Sequence, residues 1–155
     1  MKITKKQKYT FTIRVIALLL VLSSLLSGTA FAAMPETMDP LASNYIKGKT
    51  SYLLPVGSGR VQIHFDVKAT GMMDKLGVKT IEMYESTNQT TWTKVKTYQS
   101  DTYAAMLDED VSTHTGYVTF LGVAGRYYKA YVRFYAQNSS GNDSVYVWTT
   151  PVRAT

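Results

Sequence analysis

Cysteine is absent from the 155-residue chain. That excludes disulfide staples, thiol nucleophiles, thiolate metal sites and a lipid-acceptor cysteine, so a folded domain must be held by its own apolar core. Histidine is almost as scarce, with two in the chain, His64 and His114. Neither lies in a metal-ligand or nucleophile pattern, and no G-x-S-x-G elbow is present, so catalysis has little to stand on. Long apolar runs are missing too. VIALLLVLSSLL, residues 15–26, extends over 12 positions, whereas a helical membrane span needs about 20. Helical periodicity is also lacking, because no stretch sustains apolar residues at i, i+3, i+4 and i+7.

The short apolar run follows Lys2, Lys5, Lys6, Lys8 and Arg14, and precedes Ala30-Phe31-Ala32. A basic start, an apolar centre and a small-x-small end predict a signal peptide over residues 1–32, cleaved after Ala32. The address is then secreted and extracellular, with no membrane attachment after cleavage, and a Gram-positive bacterium is the expected source. Five of the 17 basic residues and none of the 11 acidic ones belong to that segment. Residues 33–155 therefore carry 12 basic against 11 acidic groups, a net charge of +1. The basic character of the whole chain belongs to the export segment, and no nucleic-acid partner is expected.

Residues 33–49, with two prolines and no period, read as a flexible lead-in whose last residues can join the first strand. From Thr50 to Thr155 short β-rich runs alternate with turn residues. This predicts an all-β fold, an antiparallel β-sandwich of about seven strands. RVQIHFDVKA alternates without fault: Val61, Ile63, Phe65 and Val67 on one face, Gln62, His64, Asp66 and Lys68 on the other, the pattern of a half-buried strand. TGMMDKLG reads as a connection. In VKTIEMYES, Val78 and Ile81 have opposite parity, which a bulge reconciles. STNQTT links to WTKVKTY, with Trp92 expected to anchor the core. TYAAML reads as a short strand, DEDVSTHT as a polar loop and GYVTFL as a strand.

The closing segments carry two patterns at once. Tyr128, Ala130, Val132, Phe134 and Ala136 share one face, and Tyr127, Lys129, Tyr131, Arg133 and Tyr135 the other. Placing Ala136 opposite Asp143 sets Phe134 on Val145, Val132 on Val147, Arg133 on Tyr146 and Tyr131 on Trp148; a slip of one residue would bring the apolar row beside the polar one. The expected outer face thus holds Tyr127, Tyr131, Arg133, Tyr135, Tyr146 and Trp148. Flat rings interleaved with long cations suit a glycan, a cell-wall component or a protein. The plain alternative is that the pairs only stabilise the sheet.

ATGMMDKLG, NQTTW and GRYYKAYVRFYAQNSSGNDS together resemble a group of small secreted proteins of Gram-positive bacteria without assigned activity, over residues 52–150. The step Gly125, Tyr128, Ala130 is similar to the late strand of immunoglobulin and fibronectin type III sandwiches. That resemblance implies that Tyr128 closes a corner. It implies a fold and no catalytic residues.

Asp108, Glu109 and Asp110 offer oxygen ligands of the kind calcium takes, but three adjacent acids on an extended chain point apart, and a solvated loop is the simpler reading. No metal or cofactor is expected. The functional expectation is a secreted, non-catalytic binding module acting through the outer aromatic face. The competing classes are a small enzyme or enzyme inhibitor working through loops, and a homo-oligomeric structural protein.

Overall fold

A computed structural model describes residues 43–155. The expected signal peptide, its cleavage site at Ala32 and most of the lead-in lie outside the described residues. The strands are β1 (Ile46–Gly57), β2 (Arg60–Met73), β3 (Lys75–Ser86), β4 (Thr93–Gln99), β5 (Leu107–Asp108), β6 (Val111–Leu121), β7 (Tyr127–Asn138), β8 (Gly141–Trp148) and β9 (Val152–Arg153). All pairings are antiparallel. They build one sheet in the order β1-β2-β6 and another in the order β4-β3-β7-β8, with β5 added to β3 and β9 to β7. The fold is all-β and sandwich-like.

Period-two burial explains the layers. Along β7 the residues Tyr128, Ala130, Val132, Phe134 and Ala136 are fully buried, while each residue between them is partly exposed. Val61, Ile63, Phe65 and Val67 do the same on β2. These rows meet in one core with Leu76, Val78, Ile81 and Met83 of β3 and Val118 and Phe120 of β6. Each such side chain contributes about 1.5–3 kcal/mol by leaving water. The expected bulge is present. Val78 faces Phe134 and Thr80 faces Arg133, so Lys79 is the extra residue, and Val78 and Ile81 both point inward despite opposite parity.

Tyr128 closes the link from β6 to β7. Its hydroxyl accepts a hydrogen bond from Val123 N (2.8 Å) and donates to Glu85 Oε2 (2.6 Å). The loop between must turn sharply and pass close to the ring. Gly125 has φ +87°, and a Cβ on Gly122 would stand 2.6 Å from Tyr128 Cζ, so glycine is required at both.

Several expectations need correction. TYAAML is not a strand: Ala104–Met106 form a 3₁₀ turn that buries Met106, and only Leu107–Asp108 pair with β3. The polar loop ends at Asp110, because β6 begins at Val111. His114 consequently lies on a strand facing inward, 5.7 Å from the Phe65 ring, its Nε2 3.1 Å from the Ala105 carbonyl oxygen. The 3₁₀ turn packs against this half of β6 together with β3: the Ala105 carbonyl and the Phe65 ring leave room at Gly116 only for hydrogen, and a Cβ on Gly77 would stand 3.1 Å from the His114 ring. TGMMDKLG is scarcely a connection, since β2 runs to Met73 and β3 starts at Lys75. The last residues of the lead-in, by contrast, join the first strand as expected, since β1 takes in Ile46–Lys49.

Candidate functional site

β7 lies between β3 and β8, so its outward residues are the middle column of a three-strand surface. Register sets the rows. Thr80, Arg133 and Tyr146 form one, and Glu82, Tyr131 and Trp148 the next. The β7–β8 pairing has the register argued from burial, from Tyr131 opposite Trp148 to Ala136 opposite Asp143.

Tyr131 is the hub. Its ring stacks on Tyr146 at 5.3 Å and 19°, and meets Trp148 at 4.5 Å. Trp148 in turn meets Tyr84 of β3 at 5.1 Å. Tyr146 is 42 % exposed and Trp148 39 %, so the ladder keeps open ring faces. Lys129 Nζ sits 4.4 Å from the Trp148 ring centre and 4.6 Å from that of Trp92. Burial between the indoles pushes its pKa below the ordinary 10.5. Arg133 lays its guanidinium 5.7 Å from the Tyr146 ring centre and donates from Nε to Ser144 Oγ at 3.2 Å.

Tyr127 and Tyr135 do not join this group. Tyr127 faces β9, with Arg153 over its ring at 5.9 Å. Tyr135 lies at the other end of β7, donating to Gln137 Oε1 at 2.8 Å with Lys79 Nζ 5.8 Å from its ring centre. Among the described residues neither ring pairs with another aromatic. Of the six expected residues, Tyr131, Arg133, Tyr146 and Trp148 come together.

The β3 side of the surface went unread in the sequence. Thr80, Glu82 and Tyr84 occupy the outward positions of VKTIEMYES, but nothing local says that β3 pairs with β7. Trp92 is a direct correction. It does not anchor the core; its indole is on this outer face, donating from Nε1 to the Gln89 carbonyl at 3.1 Å and holding Lys129. Backbone N–H groups of Asn88 and Gln89 donate to Ser86 Oγ, and those of Thr90 and Thr91 to Asn88 Oδ1, shaping the turn that presents it.

Glu82 accepts from Tyr84 Oη at 2.8 Å and from Lys94 Nζ at 3.1 Å. Burial would raise its carboxyl, but these bonds and the ammonium charge outweigh burial and hold it below 4.5. The Tyr84 phenol is pushed up to about 12, by burial and then by its bond to Glu82. A hollow of about 240 Å³ opens among Thr80, Glu82, Tyr131, Arg133 and Tyr146.

Elsewhere, His64 is stacked between Tyr52 (4.9 Å) and Tyr117 (5.3 Å) on the outside of the smaller sheet. Asp108 faces His114 at 3.6 Å and caps Glu109 N at 3.0 Å, while Glu109 and Asp110 are exposed. Among the described residues no group of three or more His, Asp or Glu side chains is arranged to hold a metal ion. No protein-family model and no curated protein sequence matches the chain.

Proposed function

We propose that the chain is a secreted, non-catalytic binding module of immunoglobulin or fibronectin type III character, acting outside a Gram-positive cell on a glycan, a cell-wall component or a protein. The sheet orders β1-β2-β6 and β4-β3-β7-β8, with Tyr128 closing the β6–β7 corner, support the fold type. The basic start and short apolar run of residues 1–32 support export.

The observation that carries the binding reading is the contiguous surface of Tyr146, Tyr131, Trp148 and Tyr84, partly open to solvent, with a polar hollow beside it. A ladder that served only the sheet would not need a hollow with a carboxylate and a guanidinium on its rim. Open aromatic patches of this kind mark interaction sites.

The test is retention on insoluble polysaccharide and on whole bacterial cells. Tyr131→Ala with Trp148→Ala should abolish retention while far-UV circular dichroism stays that of the parent. Retention that survives the double substitution in a folded protein removes this surface from consideration.

A further inference from the structure

Arg133 is the unusual residue of this surface. The long cations around it have occupants: Lys94 pairs with Glu82 at 3.1 Å, Lys79 with Asp101 at 3.4 Å, and Lys129 lies between two indoles. Arg133 has no acid partner among the described residues, and only its Nε is engaged, by Ser144. Arg133 lines the hollow, and both terminal amino groups of its planar fork are without a protein hydrogen bond among the described residues, so they suit the two oxygens of a carboxylate.

The rest of the hollow narrows the choice. Glu82 lines it too, and each of its oxygens takes only one protein hydrogen bond, although a carboxylate has about four acceptor positions. A ligand group approaching Glu82 must therefore donate, as a hydroxyl does. A second carboxylate there would meet like charge. Tyr131 and Tyr146 supply apolar ring faces beside these polar atoms. The volume of about 240 Å³ is below the roughly 300–1,000 Å³ of a drug-sized pocket, so the hollow suits one ring-sized unit. An acidic sugar unites these features: one carboxylate for Arg133, several hydroxyls for Glu82 and Thr80, and a C–H face for the tyrosines. An acidic peptide brings carboxylates without hydroxyls, and a neutral sugar leaves the fork unused.

We propose that the hollow between β3 and β7 binds a uronic-acid residue of an acidic polysaccharide, with Arg133 clamping the sugar carboxylate and Glu82 accepting its hydroxyls. This rests on the reading of the outer face as the binding surface and names its ligand class.

The experiment titrates the protein with tetramers of galacturonic acid and of glucuronic acid, with their uncharged methyl esters, and with tetraglutamate. At least one acidic tetramer should bind, at least tenfold more tightly than its own ester and than tetraglutamate, and more weakly as salt is raised, since an exposed ion pair is screened. Arg133→Met, which keeps the apolar stem, should lose that tenfold preference, and Tyr146→Ala should weaken binding of the acid. Tyr117→Ala, on the outside of the opposite sheet, should change nothing.

Equal affinity for acid and ester, equal affinity for tetraglutamate, or indifference to Arg133→Met would overturn the assignment. So would failure of both acidic tetramers to bind. If retention on cells or polysaccharide still depends on Tyr131 and Trp148 in that case, the binding surface stands and only its acidic-sugar assignment falls. If that retention is lost as well, both fall.

Discussion

Tyr128 does two jobs with one hydroxyl, and both are measurable. It accepts from Val123 N across the β6–β7 corner and donates to Glu85, which Arg126 also contacts. Tyr128→Phe keeps the ring in the core but leaves a backbone N–H and a carboxylate oxygen short of a partner. Urea unfolding should show a loss of about 1–3 kcal/mol with strand content unchanged. An unaltered midpoint would mean that the corner bonds add nothing. Lys129 offers a second residue-scale test. It contacts both tryptophans of the chain, Trp92 and Trp148, so tryptophan emission reports directly on its surroundings. Lys129→Met should shift that emission and cost about 0.5–2 kcal/mol, the range for a cation over an aromatic face. The role of Tyr128 was implied by the resemblance of the Gly125, Tyr128, Ala130 step to the late strand of immunoglobulin and fibronectin type III sandwiches. Trp92 misled, since a lone indole after a turn has the same local pattern whether it points into the core or lies under a lysine.

At the scale of the elements, β7 is central. β3 and β8 pair with it along most of its length, and its alternate residues are fully buried. Its amides should exchange most slowly with deuterium, and those of β4, whose middle residues are exposed, among the fastest of the strands. The bulge at Lys79 is the element on which β3 depends. Deleting Lys79 would force one half of the strand to turn over, sending either Leu76 and Val78 or Ile81 and Met83 toward water. The expected loss is at least about 3 kcal/mol, read as a lowered denaturation midpoint; a deletion variant of parental stability would show that the bulge is dispensable. The bulge and the β7–β8 register were readable because burial allows one parity at a time. The stretch from Thr102 to Thr115 was not. There a 3₁₀ turn covers the strand, and inward positions hold His114 and Gly116 instead of the large apolar residues that announce a core face.

For the molecule as a whole, pH is the sharpest probe. Glu82 and Glu85 are held below 4.5 and Asp143 below 3.8. In each case burial acts upward and is outweighed: by Tyr84 and Lys94 at Glu82, by Tyr128 and Arg126 at Glu85, and by Ser43 and backbone N–H groups, including Asn44 N at 2.8 Å, at Asp143. A carboxyl whose folded pKa lies below its unfolded one stabilises fully above the unfolded value and loses that contribution as pH falls through the folded one. Stability should therefore be flat above pH 4.5 as far as these groups decide it, and decline below. Glu85→Gln should be less stable than the parent near neutrality and show a shallower acid decline. An identical acid slope in parent and variant would count against the role given to Glu85.

What the amino-acid order determined by itself was local: which side of each strand is apolar, where a bulge must sit, and how the last two strands align. Alternation suffices for these because a strand has two faces and burial admits one. Which strands become neighbours beyond that last pair was decided only in the tertiary structure. The pairing of β3 with β7 brings Thr80, Glu82 and Tyr84 beside Tyr131 and Arg133, and the turn before β4 adds Trp92. No sequence period carries that information, because contacts between strands some fifty residues apart are chosen by how two sheets share one core.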